Sequence, residues 1–226
     1  MSDDFRVDLH VHSKYSPDSH SELEAIAAAV AESGLRGFAL TDHNTVRGHA
    51  ALSELSARYH GFLFIPGVEV STRDGHLLAL GVREAPPRGR ALAETVDWVG
   101  AHGGVAVLPH PFRRTHGVGR ALAASAKVSA IEGRNGHNSE LANAHAELVA
   151  AQRGIGATGG SDAHRPDEVG RCVTAFPDPI ESVEDLLELL HHGQCQAEGR
   201  SLAAMGRLRV SLTSGLLRLR RGLRPI

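Results

Sequence analysis

Apolar and polar residues alternate through 6–11. Val7, Leu9 and Val11 fall on one side of an extended chain, Asp8 and His10 on the other, and His12 continues the polar row. The pattern predicts a first strand whose apolar side faces a core and whose histidines project together. The period then lengthens. Leu23, Ile26, Ala27 and Val30 recur at helical spacing, Ser21 and Glu24 read as a capping box, and Gly34 ends the helix. Apolar runs at 37–40, 62–70, 76–82, 105–108, 128–131, 156–159 and 173–176 predict further strands. Arg73-Asp74-Gly75 supplies the turn between 62–70 and 76–82. Helical patterns at 46–59, 91–102, 139–153 and 183–191 alternate with these runs, and 173–176 is expected to be the last strand. Strands alternating with helices predict a parallel α/β architecture.

Polar residues of metal-binding type repeatedly follow the apolar runs. His43 ends Thr41-Asp42-His43, His110 stands between two prolines, and Asp162 and His164 close Gly160-Ser161-Asp162-Ala163-His164. Glu69 lies inside an apolar run, where a buried carboxylate needs a partner. Imidazole nitrogen with carboxylate oxygen suits zinc, manganese or iron. The carboxyl ends of barrel strands are where such folds build active sites, a preference that scattered surface histidines would not show. Structural alternatives stand beside this reading: Asp18 as a turn residue after Pro17, His76 as a cap on the Gly75 turn, His110 as a rigid loop residue, and Asp162 as a helix N-cap.

Asp8-Leu9-His10-Val11-His12-Ser13, Thr41-Asp42-His43, Gly67-Val68-Glu69-Val70-Ser71, Gly75-His76, Pro109-His110-Pro111 and Gly160-Ser161-Asp162-Ala163-His164, in this order, resemble the PHP family, named for polymerase and histidinol phosphatase domains. The resemblance runs over residues 7–196. It implies an α/β fold, a distorted (β/α)7-type barrel with two or three divalent ions (Mn, Zn or Fe) at the carboxyl ends of its strands, and phosphoester hydrolysis. Carried over position by position, His10, His12, Glu69 and Asp162 hold a first ion, with Glu69 bridging to the second. Glu69, His76 and His110 hold the second, and Asp18, His43 and His164 a third. Aspartate at 18, where some members are expected to carry histidine, favours a harder ion such as manganese. Glu69, Asp162 and His164 are expected to carry the chemistry, and Asp8 and Asp42 to orient the neighbouring imidazoles.

Phosphate recognition calls for cations, and Arg113 and Arg134 follow strands. Asn135 and His137 are candidates for contact with the leaving group. His49, His60, His102, His116, His145, His191 and His192 read as solvated or structural. The chain leaves no room for polymerase machinery, and residues 132–164 look like the branch of small phosphatases and exonucleases acting on nucleotides or RNA ends. The expected substrate is a small phosphate ester or nucleotide, attacked by metal-bound hydroxide generated at the ions. A non-catalytic, metal-binding regulatory module is the alternative.

Composition bounds the rest. With 226 residues, 42% hydrophobic and 22% charged, the chain suits one domain with a sizeable core. No apolar run approaches the roughly 20 residues of a membrane span, and residues 1–5 are too polar and acidic for a secretory signal, so a cytoplasmic location is expected. Cys172 and Cys195 read as buried thiols. The net charge of −2 hides an asymmetry: seven arginines and no acid follow Glu198, so the tail carries +7 and the body −9. The chain therefore divides into a phosphoesterase-like domain at 1–199 and a basic, partly helical tail at 200–226. Leu208, Leu212, Leu216, Leu219 and Leu223 share one face of that tail, although Gly206, Gly215 and Gly222 weaken a long helix. Either the leucines pack on the barrel, or the tail contacts RNA phosphates, anionic lipid or a partner.

Overall fold

Both rows of the first strand are buried, the polar one included: Val7, Leu9 and Val11 are sealed from solvent, and so are Asp8, His10 and His12. A strand buried on both faces belongs inside a layered or closed sheet. A computed structural model describes residues 5–220, with the backbone alone at 204, 205, 207–211 and 218. It contains strands β1 (Phe5–Val11), β2 (Gly37–Leu40), β3 (Leu63–Ser71), β4 (His76–Leu80), β5 (Val105–Leu108), β6 (Ala130–Asn135), β7 (Gly156–Gly160), β8 (Cys172–Phe176) and β9 (Gln196–Gly199). The helices are α1 (Leu23–Glu32), α2 (His49–Ser56), α3 (Leu92–Ala101), α4 (Gly119–Ser125), α5 (Glu140–Arg153), α6 (Val183–His191) and α7 (Ala204–Arg220).

The strands form one nearly closed, barrel-shaped sheet in the order β7-β6-β5-β4-β3-β2-β1-β8-β9. β1, β2 and β3 run parallel, as do β5, β6 and β7, while β4 lies antiparallel between β3 and β5. All six parallel strands therefore deliver their carboxyl ends to the same rim. The reversed β4 brings its first residue there instead, with His76 paired opposite Ser71 of β3. At the seam, the Asp162 amide donates to the His10 carbonyl (2.8 Å) and the His12 amide to the Ala163 carbonyl (2.9 Å). Gly160 makes this approach feasible, because a Cβ there would sit 2.4 Å from the His10 Cβ.

Val7 and Leu9 pack with Leu78, Leu80, Val107 and residues of α6, whereas Val11 packs with α1 and α2. The sequence places all three on one side; the structure separates them. The cause is a register shift in the β1–β2 pairing between Asp8 and Val11, a bulge that re-aims the end of the strand.

Local signals elsewhere fare unevenly. α5 starts at Ser139, whose hydroxyl accepts from the Ala142 amide, and ends at Gly154 with φ 64°. The capping box expected at Ser21 and Glu24 is absent: Glu22 is the N-cap and makes no side-chain cap, while the Ser21 hydroxyl donates to the His164 carbonyl. α2 is shorter than the pattern over 46–59. α4 and β9 arise where no element was expected, so β8 is not the last strand. No helix of the described residues is long and apolar enough to cross a membrane.

Candidate metal centre

Glu69, near the end of β3, is 1% exposed and lies at the centre of five imidazoles. Its Oε1 is 2.6 Å from His76 Nδ1 and 2.9 Å from His110 Nε2. Its Oε2 is 3.1 Å from His10 Nε2, 3.2 Å from His12 Nε2 and 3.3 Å from His43 Nδ1. The five rings arrive from four strand ends: β1 supplies His10 and His12, β2 His43, the reversed β4 His76 and β5 His110. Asp162, just past β7, adds Oδ1 at 3.2 Å from His12 Nε2 and 3.5 Å from His10 Nε2. Asp18, in the loop after β1, lies 3.2 Å from His43 Nε2 and 3.1 Å from His164 Nε2.

The nine expected ligand positions thus converge in one buried region. Ligand atoms group as His10, His12, Glu69 and Asp162; as His12, Asp18, His43 and His164; and as His43, Glu69 and His76, with all atoms in each group within 4.8 Å of one another. His43 faces Glu69 through one ring nitrogen and Asp18 through the other, so it joins two of the groups.

Two backbone conformations mark the rim. His110 and Asp162 have φ of 30° and 56°, a region non-glycine residues rarely adopt, and both are overdetermined by their bonds. The His110 amide donates to Glu132 Oε2 (2.8 Å) while its ring meets Glu69. The Asp162 amide is held across the seam by His10.

Burial disfavours charge throughout this region and lowers His43, but at several other positions the opposite charges outweigh it. Burial alone would lower His12, but the carboxylates of Asp162 and Glu69, each 3.2 Å from Nε2, raise it to about 10. His10 is likewise raised, by Asp162, Glu69 and Glu132. Burial would raise Glu69, Asp18 and Asp162, but the facing histidines, joined at Asp162 by Arg113, hold all three well below the ordinary carboxylate range. His110 goes the other way: burial and Arg113 push it down to about 3.

Hydrogen bonds account for only part of the arrangement. Both ring nitrogens of His12, Nδ1 of His43, Nε2 of His76 and Nδ1 of His110 are buried without a hydrogen-bond partner among the described residues. His12 Nε2 is close to two carboxylates but not aligned with either. Buried imidazole nitrogens are ordinarily satisfied, and donors gathered around shared points without facing one another are what a cation requires. The residues therefore fit divalent metal, with a nitrogen and oxygen set suited to zinc, manganese or iron.

The residues around the ligands differ from expectation. Asp8 and Asp42 do not reach imidazole nitrogens. Asp42 holds the amide and hydroxyl of Ser13 (2.6 and 2.7 Å), and Asp8 accepts from the amides of Ser161 and Gly170 (both 2.9 Å). Glu132 takes the ring-orienting role at His10 Nδ1 (2.9 Å), and the Asp162 carbonyl takes it at His164 Nδ1 (2.8 Å). The polar run from Glu132 to Asn135 reads as a loop after a strand, yet it forms most of β6. The signal available was a carboxylate beside the apolar Ile131, the same signal that singles out Glu69. Glu168 also goes unnoticed in the sequence; it accepts from the His164 amide (2.9 Å) and lies 3.5 Å from His137 Nε2.

Of the two expected phosphate-binding arginines, the structure brings one to the cluster. Arg113 bonds Asp162 Oδ2 (2.6 Å), Asn135 Oδ1 (2.7 Å) and Asn138 Oδ1 (3.1 Å). Arg134 turns outward to Glu147 of α5 (2.7 Å) and the Gly199 carbonyl (2.9 Å), because a register shift between Glu132 and Arg134 in the β6–β7 pairing breaks the strand's alternation. Asn135 also donates to Glu132 and Asp162, so it braces the centre. The His137 ring stacks on His164 at 5.6 Å. On the opposite flank, a cleft of about 430 Å³ reaches His76 past Arg73 and Arg88, two cations the sequence did not single out.

A family model described as the PHP domain matches residues 8–164, and one described as PHP-associated matches residues 140–195. The chain belongs to the PHP domain family. An uncharacterized protein of Methanocaldococcus jannaschii is 33% identical over 117 residues, 47% of this chain and 68% of that one. A phosphoribosyl 1,2-cyclic phosphate 1,2-diphosphodiesterase of Eggerthella lenta is 38% identical over 91 residues, 38% of this chain and 34% of the relative. A 5'-3' exoribonuclease of Haemophilus influenzae is 34% identical over 94 residues, 40% of this chain and 34% of the relative. The matched segments span about a third of those two enzymes. Among solved structures, a two-domain Bacteroides vulgatus protein containing a predicted PHP-like metal-dependent phosphoesterase shares the fold, with a TM-score of 0.69 and 20% identity over 93% of this chain and 70% of that one.

Proposed function

We propose that this PHP-domain chain is a metal-dependent phosphoesterase that hydrolyses a small or nucleotide-like phosphate ester. The observation that carries the reading is Glu69, a sealed carboxylate shared by five imidazoles, several of whose ring nitrogens have no hydrogen-bond partner among the described residues. His10, His12, Glu69 and Asp162 would hold one ion, Glu69, His76 and His110 a second, and Asp18, His43 and His164 a third. When bound, divalent ions lower the pKa of a water to supply the nucleophile and offset charge on the phosphate oxygens.

The chain's own residues then have distinct tasks. Glu69 ties two ligand groups together. Glu132 fixes the His10 ring through Nδ1 and the His110 backbone through its amide, so both rings are aimed before metal arrives. Arg113, braced by two asparagines and bonded to Asp162, lies against the cluster and suits a phosphate oxygen. The two relatives named for phosphodiester chemistry, one on a cyclic sugar phosphate and one on RNA, support a phosphorus-centred reaction. The regulatory alternative is weakened by the complete ligand set, since a site under no catalytic demand has no reason to retain nine converging residues.

The test is product release (phosphate from monoesters, nucleotide from RNA) by protein stripped of metal and reloaded with manganese, zinc or iron. Substrates would be p-nitrophenyl phosphate, nucleoside mono- and bisphosphates, histidinol phosphate and a short RNA. Release from one class, abolished by chelator, is the expected result. Silence across the panel with metal bound would reject the proposal.

A further inference from the structure

α7 is not a helix packed flat on the barrel. Leu212, Leu216 and Leu219 are spaced along one face of it and are 60%, 59% and 58% exposed. A cleft of about 620 Å³ lies between this helix and the ligand group of Asp18 and His164. Those two residues line one side, Pro166 contributes part of the lining, and Leu216, Leu217 and Arg220 of α7 line the other. Two metal-ligand positions thus border a space whose opposite side belongs to the tail.

Size and charge both bear on what enters. The volume falls within the range usual for small-molecule sites, and a phosphoryl group would occupy only a small part of it. Other charges around the cleft are already engaged: Arg165 pairs with Asp167 (2.9 Å) and Glu22 with Lys14 (2.6 Å). Arg220 has no ion-pair partner among the described residues. The cleft therefore offers candidate metal ligands on one side, leucine side chains on the other and, beside them, a guanidinium with no ion-pair partner among the described residues.

We propose that α7 forms the outer wall of the substrate pocket, with Leu216, Leu217 and Arg220 selecting the organic part of the ester. The inference rests on the phosphoesterase reading and deepens it. The substrate class is a phosphate ester of a bulky, partly apolar alcohol with an anionic or hydrogen-bonding edge. Its apolar body covers the leucines, and its polar edge meets Arg220. These residues are specificity determinants; the chemistry belongs to the barrel.

Phosphonates, which have no ester bond to break, test this by equilibrium binding to the full-length, manganese-loaded protein. The probes are methylphosphonate, benzylphosphonate and 4-carboxybenzylphosphonate, measured by titration calorimetry. Benzylphosphonate should bind about tenfold tighter than methylphosphonate, and its carboxylated form several-fold tighter again. Leu217→Asp should erase the benzyl preference and Arg220→Glu the carboxylate preference, each leaving methylphosphonate affinity unchanged. Leu212→Asp, on the same helix but outside the cleft lining, controls for damage to α7 and should preserve both preferences. Affinity ratios untouched by both cleft variants would overturn the wall assignment alone. Failure of the metal-loaded protein to bind any of the three would overturn the phosphoesterase reading beneath it.

Discussion

The first strand and the last helix carry the same kind of sequence signal and meet opposite fates. β1 has apolar residues at strand spacing, and Val7, Leu9 and Val11 are at most 1% exposed. α7 has leucines at helical spacing, and Leu212, Leu216 and Leu219 stand more than half exposed. What differs is the surface opposite. β1 sits between β2 and β8 with core on both faces, whereas α7 faces a cleft. Periodicity states which residues share a face; burial requires a complementary face elsewhere in the fold. Arg113 and Arg134 repeat the lesson in charged form. Both read as phosphate-binding cations after a strand, yet one meets the ligand cluster and the other a glutamate on α5.

The strongest way to sharpen the contrast is to strike the polar row of the barrel at its centre. Glu69→Gln should lower phosphate release about a thousandfold, the equivalent of losing several kcal/mol of charge stabilisation, and should reduce metal content measured by atomic emission. A variant that keeps both would remove Glu69 from the bridging role. Next comes a direct comparison of the two leucine sets by urea unfolding. Leu9→Ala should cost about 2–5 kcal/mol as a fully buried truncation, while Leu216→Ala should stay within about 0.5 kcal/mol. Comparable losses would mean that α7 packs as tightly as β1. The smallest contrast is kinetic. Arg113→Ala should raise KM about tenfold, as expected for a lost charge-assisted hydrogen bond. Arg134→Ala should leave kcat and KM alone and cost at most about 1 kcal/mol of stability. Equal kinetic defects would contradict the outward orientation of Arg134.

Much of the candidate site was legible because it sits where simple rules apply. Apolar runs located the strand ends, and the nine residues expected to be ligands lie in one region. What stayed hidden depends on pairing across the fold. The bulge in β1 exists only against β2, so Val11 could not be assigned to its layer from alternation alone. Ser21 looks like a cap until the His164 carbonyl, far along the chain, claims its hydroxyl. Asp8 and Asp42 lie close to histidines in sequence, but their carboxylates are taken by partners from other segments: amides of Ser161 and Gly170 for Asp8, the amide and hydroxyl of Ser13 for Asp42. β9 was invisible because Gln196-Ala197-Glu198-Gly199 is an edge strand with little apolar content. In the tail, the side chains of Arg207, Leu208, Arg209 and Arg218, together with Arg221, Gly222, Leu223 and Arg224, lie outside the described residues. The expectation that five leucines share one helix face is addressed only at Leu212, Leu216 and Leu219.

The seam between β1 and β7 gives the ligand set a second meaning. His10 and His12 stand on one bank of that seam and Asp162 on the other, joined directly by only a few backbone bonds. An ion gripped by all three would act as a clasp on a hoop, fastening two segments that lie at opposite ends of the domain in the chain. Cation supply would then govern more than turnover. Because binding favours only the closed hoop, a cell short of the ion would be left with a looser vessel as well as an idle one.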